Sequence, residues 1–422
     1  MEKTAMYEPM QATTDAGRRY VALTEQHARD FAERAPRHDR EGSFPFENFE
    51  DMRRSGVMAA MVPQPFGGMG VESIFDMIVG VARLGGGDAS TAIAANMHIA
   101  TGLIIRMEWE GARAAGNQKA AEAAELLLRQ LGAGEITFCL LGSEAGTDQL
   151  HPQVTATRTE GGYLINGRKI FGTLSPGANR FYAFAAVEKP TGGMEIAGSI
   201  LPRGIEGMEI QDNWDAMGMR ASGSNDVIFK NCFVPEEQFG RVRFSYGEWS
   251  APWFHTIILE NLGLASVFFG IAEAARGHTI EQVRKRRKQP SGRTLAERPT
   301  IQHWIAEIEI DFMTAQAVLE RCARRVDEFY RTHPIDSDTP AEVLHQMNKL
   351  FQVTKNVVTS RAVAIVDKAM TATGGSGYLN SSPLSRWYRD VRAGPIMQTY
   401  SPNEQYEYIA KATLGLPMDM TK

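Results

Sequence analysis

The sequence predicts an α+β multidomain fold: an N-terminal helical domain, a middle antiparallel β-barrel domain and a C-terminal four-helix bundle. Three observations predict it. Residues 1–135 and 243–422 have helical texture, while alternating β-branched stretches and turn signals are confined to 136–242. The order is helices, strands, helices, without the βαβ alternation of a dinucleotide-binding sheet. The helical patterns after residue 243 are long and joined by short loops, as in a bundle. A chain of 422 residues, 43% hydrophobic, has ample material for such cores. At roughly 150 residues per domain it accommodates three parts.

Each element follows from local chemistry. In the first part, residues 121–131 are rich in Ala, Glu and Leu, strong helix formers, and Pro65-Phe66-Gly67-Gly68-Met69-Gly70 reads as a loop. In the middle part, Val154-Thr155-Ala156-Thr157-Arg158 alternates and Gly161-Gly162 follows as a turn. Tyr163-Leu164-Ile165 then meets Asn166-Gly167, a two-residue hairpin signal. Further short strands are expected at 181–187, 199–201 and 226–234. In the last part, helices are expected over 253–288 and 300–330. A third begins at Thr339 as cap, with Pro340 at the first position and Glu342 three residues after the cap, and stops at Gly374-Gly375.

Composition narrows the partners. Lys and Arg number 45 against 50 Asp and Glu, a net charge of −5. That balance argues against attraction to nucleic acid or an anionic membrane. Cys139, Cys232 and Cys322 lie far apart without a CxxC pair, so neither a disulfide framework nor a finger-type zinc site is expected. A reducing, cytoplasmic setting is. Residues 1–30 are polar with both charge signs, unlike a signal peptide. The apolar stretch 253–275 is interrupted by His255, Glu260, Asn261 and Glu273, which reads as a buried helix and not as a membrane span.

Motifs of common chemistries are absent. Gly68-Met69-Gly70 lacks the third glycine and the preceding strand of a dinucleotide fingerprint. Residues 162–169 miss the phosphate-loop pattern, and no HExxH, GxSxG or acidic calcium loop occurs. The basic run Arg284-Lys285-Arg286-Arg287-Lys288 closes a helix, where cations favour the helix dipole; a phosphate contact is the alternative.

Glu260 is physically unusual. Its helical neighbours three and four residues away are Ile257, Thr256, Gly263 and Leu264. A carboxyl in so apolar a stretch is hydrogen-bonded to a neighbouring helix, or it is held protonated for proton transfer.

The ordered motifs resemble those of the acyl-CoA dehydrogenase family. They are Phe138-Cys139-Leu140-Leu141-Gly142-Ser143-Glu144-Ala145-Gly146-Thr147-Asp148, Asn166-Gly167-Arg168-Lys169-Ile170-Phe171-Gly172-Thr173, and Trp214-Asp215-Ala216-Met217-Gly218-Met219-Arg220-Ala221-Ser222. Gly374-Gly375-Ser376-Gly377-Tyr378 and Arg389-Asp390-Val391-Arg392 complete the set, which runs from Pro65 to the C-terminus. The resemblance implies a flavoenzyme of fatty acid metabolism, with FAD between the β domain and the bundle, and a homotetramer. It implies an acyl-CoA substrate and a flavoprotein or other electron acceptor. By position, Phe138, Leu140 and Thr147 would lie along the flavin, Phe171 would pack against its ring, and Thr173 would bond near its reactive nitrogen. Arg287, Gly374 and Gly375 would meet the diphosphate of a neighbouring subunit's FAD. The implied reaction is α,β-dehydrogenation, in which a carboxylate takes the α-proton while hydride passes to the flavin.

The sequence departs from that pattern at the base. Most members carry it in an Ile-Tyr-Glu-Gly-Thr segment; here Ile396-Met397-Gln398-Thr399-Tyr400 places an amide, Gln398, at that position. A minority of members supply the base from the long bundle helix, at the position of Glu260. Leu141 and Gly142 replace the usual Thr-Glu, Asn261 the usual arginine, Thr371 a glutamine, and Pro290-Ser291 a Phe-Gly. Two expectations follow: dehydrogenation with Glu260 as base, or a monooxygenase of this fold using reduced flavin and dioxygen. The second needs a proton donor near the flavin. His98 is a candidate, or else an internally satisfied core histidine.

Overall fold

The computed structural model describes residues 8–335, 338–397 and 399–418. The N-terminal part is helical: α1 (Asp15–Glu41), α2 (Phe46–Ser55), α3 (Ile74–Gly87), α4 (Ala89–Ala114) and α5 (Gln118–Gly132). Thr14 caps α1 by accepting from the Gly17 N–H, and Ser73 caps α3 by accepting from the Asp76 N–H. Nearly all of α4 is buried, which explains its apolar and small residues all round.

A mixed sheet follows, built from β1 (Phe138–Leu141), β2 (Thr155–Thr159), β3 (Gly162–Gly172), β4 (Arg180–Glu188), β5 (Met194–Pro202), β6 (Met208–Ile210), β7 (Asn225–Pro235) and β8 (Val242–Ser245). Its order is β6-β7-β3-β2-β4-β5-β8, with β1 beside β4. Most pairings are antiparallel as expected, and the expectation is corrected at two strands. β1 pairs with the first half of β4 and β2 with the second half, both parallel to it. The excursion between β1 and β2 returns the chain in its original direction, so both strands share one edge of β4.

The hairpin expected at Asn166-Gly167 is also corrected. The turn sits at residues 160–161, and Asn166-Gly167 is a bulge inside β3. Gly167 has φ +134°, and a Cβ there would come within 2.8 Å of Val154, so the bulge needs glycine.

The C-terminal part is a bundle of α6 (Ala251–Lys285), α7 (Pro299–Thr332), α8 (Ala341–Thr373) and α12 (Pro402–Leu414). Between α6 and α7 lies a small hairpin, β9 (Arg287–Lys288) and β10 (Arg293–Thr294). The short helices α9 (Gly375–Tyr378), α10 (Pro383–Asp390) and α11 (Ala393–Ile396) precede α12. The first two bundle helices start and stop within three residues of their expected ends. The third starts one residue later than its cap pattern implies, with Pro340 as the flanking residue. Helix α6 is long and apolar enough to cross a membrane, but most of its apolar stretch is buried inside the protein.

Two of the junctions between the parts bear on the site. α4 is wedged between α6 and β1: Asn96 Nδ2 donates to the Glu260 carbonyl (2.9 Å), and the Phe138 N–H donates to His98 Nδ1 (3.1 Å). The Gly218-Met219-Arg220 turn docks on α10, where the Met219 N–H donates to Asp390 Oδ1 (2.6 Å).

Candidate functional site

The site begins at the corner between β1 and β3. Ser143, just after β1, bridges to Ile170 on β3. Beside it Glu144 Oε1 meets Lys169 Nζ at 2.6 Å, with both side chains almost fully buried. The other Glu144 oxygen accepts the backbone N–H groups of Gln153 (2.6 Å) and Val154 (3.0 Å). The loop is therefore fixed at both ends by one carboxylate. Within it, the half-buried Thr147 donates its hydroxyl to the His151 carbonyl (2.6 Å).

Two residues beyond Lys169 stands Phe171. Its backbone is left-handed, φ +54°, and its ring is 56% exposed. The ladder between Lys169 and Gly172 is irregular, which accommodates that backbone. A large aromatic kept open in a costly conformation is a candidate binding surface. The Trp214 ring stands edge-on to it at 5.9 Å. Thr173 Oγ1 lies 2.9 Å from Ser224 Oγ, which lies 2.7 Å from Ser222 Oγ. An open aromatic face, a hydroxyl chain beside it and a rigid loop alongside fit a flat, polar-edged ring system such as a flavin.

The other expected cofactor residues divide into groups. Leu140 is half-buried and packs on the cluster of Leu150, Tyr182 and Phe184. Phe138 is fully buried with Phe66, Ile105 and Leu128, so its side chain belongs to the core. Arg287, Gly374 and Gly375 gather at one end of the bundle. There Arg286 ties the end of α6 to the Thr373 carbonyl (2.8 Å) and to Ser376. Arg287 is exposed and donates to the Gly292 carbonyl (2.8 Å). A Cβ placed on either glycine would meet open space.

Glu260 lies on α6 and is 7% exposed. Its Oε1 has no hydrogen-bond partner, and burial pushes its carboxyl up to about 8. Helix α4 lies close to this stretch of α6. Gly263 sits against Asn96, where a Cβ would come within 1.8 Å of the amide oxygen. The structure shows no hydrogen-bond partner for that oxygen, and a role for Glu260 in proton transfer remains a proposal. His98 has the opposite character. Burial lowers its imidazole to about 4, and its Nδ1 accepts the Phe138 N–H, so it is a neutral, internally satisfied core histidine.

The described residues on either side of position 398 pack towards α6. At one end Gly394 packs against Phe268; at the other the Tyr400 ring lies 6.1 Å from Trp249, which stacks on Phe254. Phe268 and Phe254 flank Glu260 along α6. Gln398 lies outside the described residues. Sequence reasoning missed Lys355, which is 3% exposed and donates from Nζ to the carbonyls of Met397 and Tyr400 (2.8 Å to the latter). Its signal was available: Phe351 and Val358 flank it at helical spacing, as apolar residues flank Glu260.

Comparison with known proteins agrees with this architecture. Family models for the acyl-CoA dehydrogenase N-terminal, middle and C-terminal domains match residues 21–111, 138–232 and 262–402. The amino sugar nitrososynthase DnmZ of Streptomyces peucetius is 32% identical over 95% of this chain and 94% of its own length. The crystal structure of a nitrososynthase from Micromonospora carbonacea var. africana superposes with a TM-score of 0.85 at 30% identity, covering 96% of this chain and 98% of that one. KijD3, solved with FMN and a dTDP-linked amino keto sugar, gives 0.86 at 27% identity over 97% of this chain and 96% of its own. With the three domain models matched in order and relatives at this identity spanning its length, the chain belongs to the acyl-CoA dehydrogenase family of flavoenzymes.

Proposed function

We propose that the protein is a flavin-dependent monooxygenase that oxidises the amino nitrogen of an amino sugar carried on a nucleoside diphosphate. The observation that carries this reading is the full-length match to nitrososynthases at 30–32% identity. The sequence adds support, because Gln398 cannot abstract an α-proton from a thioester. The expectation of acyl-CoA dehydrogenation as the main activity, and with it fatty acid metabolism, gives way to the monooxygenase alternative.

The chemistry balances as follows. Amine, dioxygen, two electrons and two protons give a hydroxylamine and water. A second such oxidation, with loss of water, gives the nitroso group. A reduced flavin supplies the electrons that activate dioxygen. Phe171 offers its open face to the ring, and Thr173, Thr147 and Leu140 border it. Glu260, protonated at neutral pH because burial raises it, holds a proton on an unpaired carboxyl.

The flavin is FAD or FMN in this proposal. Departures at Thr371 and Pro290-Ser291 fall where FAD's diphosphate would be held, which favours tolerance of FMN. Arg287, Gly374 and Gly375 then matter for FAD alone, across a subunit contact in a cytoplasmic homotetramer. The redox partner is a reductase that delivers reduced flavin. The test supplies NADH, a flavin reductase, dioxygen and a dTDP-amino sugar. Products heavier by one oxygen, then the nitroso compound, support the reading; no amine-dependent product excludes it.

A further inference from the structure

We infer that Asp390 is a positioning residue for the flavin site: through Met219 and Trp214 it sets the ring of Phe171 that meets the cofactor. The inference rests on Phe171 as the flavin-facing ring, and it holds whichever reaction the flavin performs. Four residues from two domains are joined in series. The Met219 N–H donates to Asp390 Oδ1 on α10 (2.6 Å). The Met219 carbonyl accepts from Trp214 Nε1 (2.9 Å). The Trp214 ring stands edge-on to Phe171, with centroids 5.9 Å apart and planes at 79°. A carboxyl of the bundle is thus connected to the open aromatic face of the sheet domain by two hydrogen bonds and one ring contact.

The link through Met219 is strained and docked on its surroundings. Met219 is 3% exposed with φ +51°, a left-handed backbone that a residue with a side chain adopts only where its contacts impose it. Two residues before it, the Met217 carbonyl accepts from Arg389 Nη1 (3.2 Å), and Arg389 Nη1 also donates to Asp39 of α1 (2.8 Å). Between Met217 and Met219, a Cβ on Gly218 would collide with the Arg389 carbonyl, so the turn lies directly on the end of α10. The Trp214 backbone is fixed separately, its N–H donating to Asn225 Oδ1 at the start of β7 (2.9 Å). A fixed backbone still leaves the indole its side-chain rotations. The bond from Nε1 to Met219 fixes the far end of the ring.

The position is costly for a carboxyl. Asp390 is 1% exposed and its Oδ2 has no hydrogen-bond partner. Burial raises the group to about 6, against the opposing pull of Arg386, whose Nη1 lies 3.9 Å away. An apolar side chain there would avoid that penalty, but it would leave the buried Met219 N–H without an acceptor. The carboxyl therefore sits where the strained turn needs an acceptor, and the turn sits where Trp214 needs one. Phe171 needs the ring in turn. Its side chain is more than half exposed, and Trp214 supplies the edge-on contact that orients it.

A double-mutant cycle on the full-length protein tests this, read as the dissociation constants of FMN and FAD by flavin fluorescence. Asp390→Ala should weaken binding by about three- to tenfold, the scale of one hydrogen bond. Trp214→Phe keeps a ring but cannot donate to Met219, and should weaken binding by a similar factor. In the Trp214→Phe background, Asp390→Ala should add less than about twofold, because the series is already broken. Asp390→Asn, whose amide oxygen can still accept from Met219, should bind flavin within about twofold of wild type. Trp214→Phe, at a half-buried position, carries the test alone should Asp390→Ala not fold, and unchanged affinity in it overturns the inference. A second reading needs no flavin. With 5-fluorotryptophan incorporated, the Trp214 fluorine resonance, identified by its loss in Trp214→Phe, should move in Asp390→Ala and return in Asp390→Asn. Equal weakening by Asp390→Ala in both backgrounds overturns the route through Trp214, and a resonance that does not move overturns the hold on the ring. A moved resonance with unchanged flavin affinity overturns the link from the ring to the cofactor. Unchanged flavin affinity in Phe171→Gly contradicts the placement of Phe171 against the flavin instead, and the resonance still decides what Asp390 holds.

Discussion

Glu144 and Lys169 form a buried ion pair, 2.6 Å apart, that joins the loop after β1 to the strand presenting Phe171. Burial lowers the lysine's affinity for its proton, and the carboxylate beside it pulls the other way. Removing one partner leaves an uncompensated charge, at a cost of about 3–5 kcal/mol. Glu144→Ala also frees the N–H groups of Gln153 and Val154. Chemical denaturation should register a loss of that size, with flavin affinity falling in parallel. The double replacement by apolar residues should be milder than either single change.

Phe171 should respond in the opposite direction. Its left-handed backbone suits glycine, so Phe171→Gly should leave stability unchanged or raise it by up to about 1 kcal/mol. The same change removes the open aromatic face and should weaken flavin binding by roughly tenfold, the scale of one aromatic stacking contact. Denaturation and flavin-fluorescence titration on one preparation separate the two effects.

Glu260 predicts a pH-dependent stability. Its folded value is raised to about 8 from an ordinary carboxyl near 4.5. Between those values the unfolded chain has lost the proton and the folded chain keeps it. Wild-type stability should therefore fall as pH rises through that window and level off above it. Glu260→Gln removes the penalty, so its advantage over wild type should be absent near pH 4, grow through the window and level off above about pH 8. A constant difference between the two proteins across the window would mean that the carboxyl is ionised in the fold.

Much of this was legible in the sequence because the signals were local. Helix formers, caps and the Gly374 stop delimit the bundle helices, and the ordered motifs mark the corner of Phe171 and Thr173. What failed was non-local. The Asn166-Gly167 pair looks like a turn, but its role is set by Val154 and the β7 partner strand across the sheet. The parallel pairing of β1 and β2 with β4 depends on where a loop returns, which no local pattern encodes. Glu260 was visible as a polar residue in an apolar stretch, whereas its unpaired oxygen was not. Lys355 carries the same kind of signal, but a lysine in a helix usually reaches solvent, so the pattern alone does not reveal its burial. The choice of reaction is open in the sequence, since Gln398 removes the usual base while Glu260 offers a replacement for it.

One experiment separates those chemistries. The flavin-loaded protein is mixed with a dTDP-amino sugar under air with a reductase and NADH, and separately with a panel of acyl-CoA esters without oxygen. Amine-dependent formation of an oxygenated product, together with a flavin that stays yellow under every ester, is the predicted result. Anaerobic bleaching by an acyl-CoA, lost in Glu260→Gln, would contradict it and restore dehydrogenation.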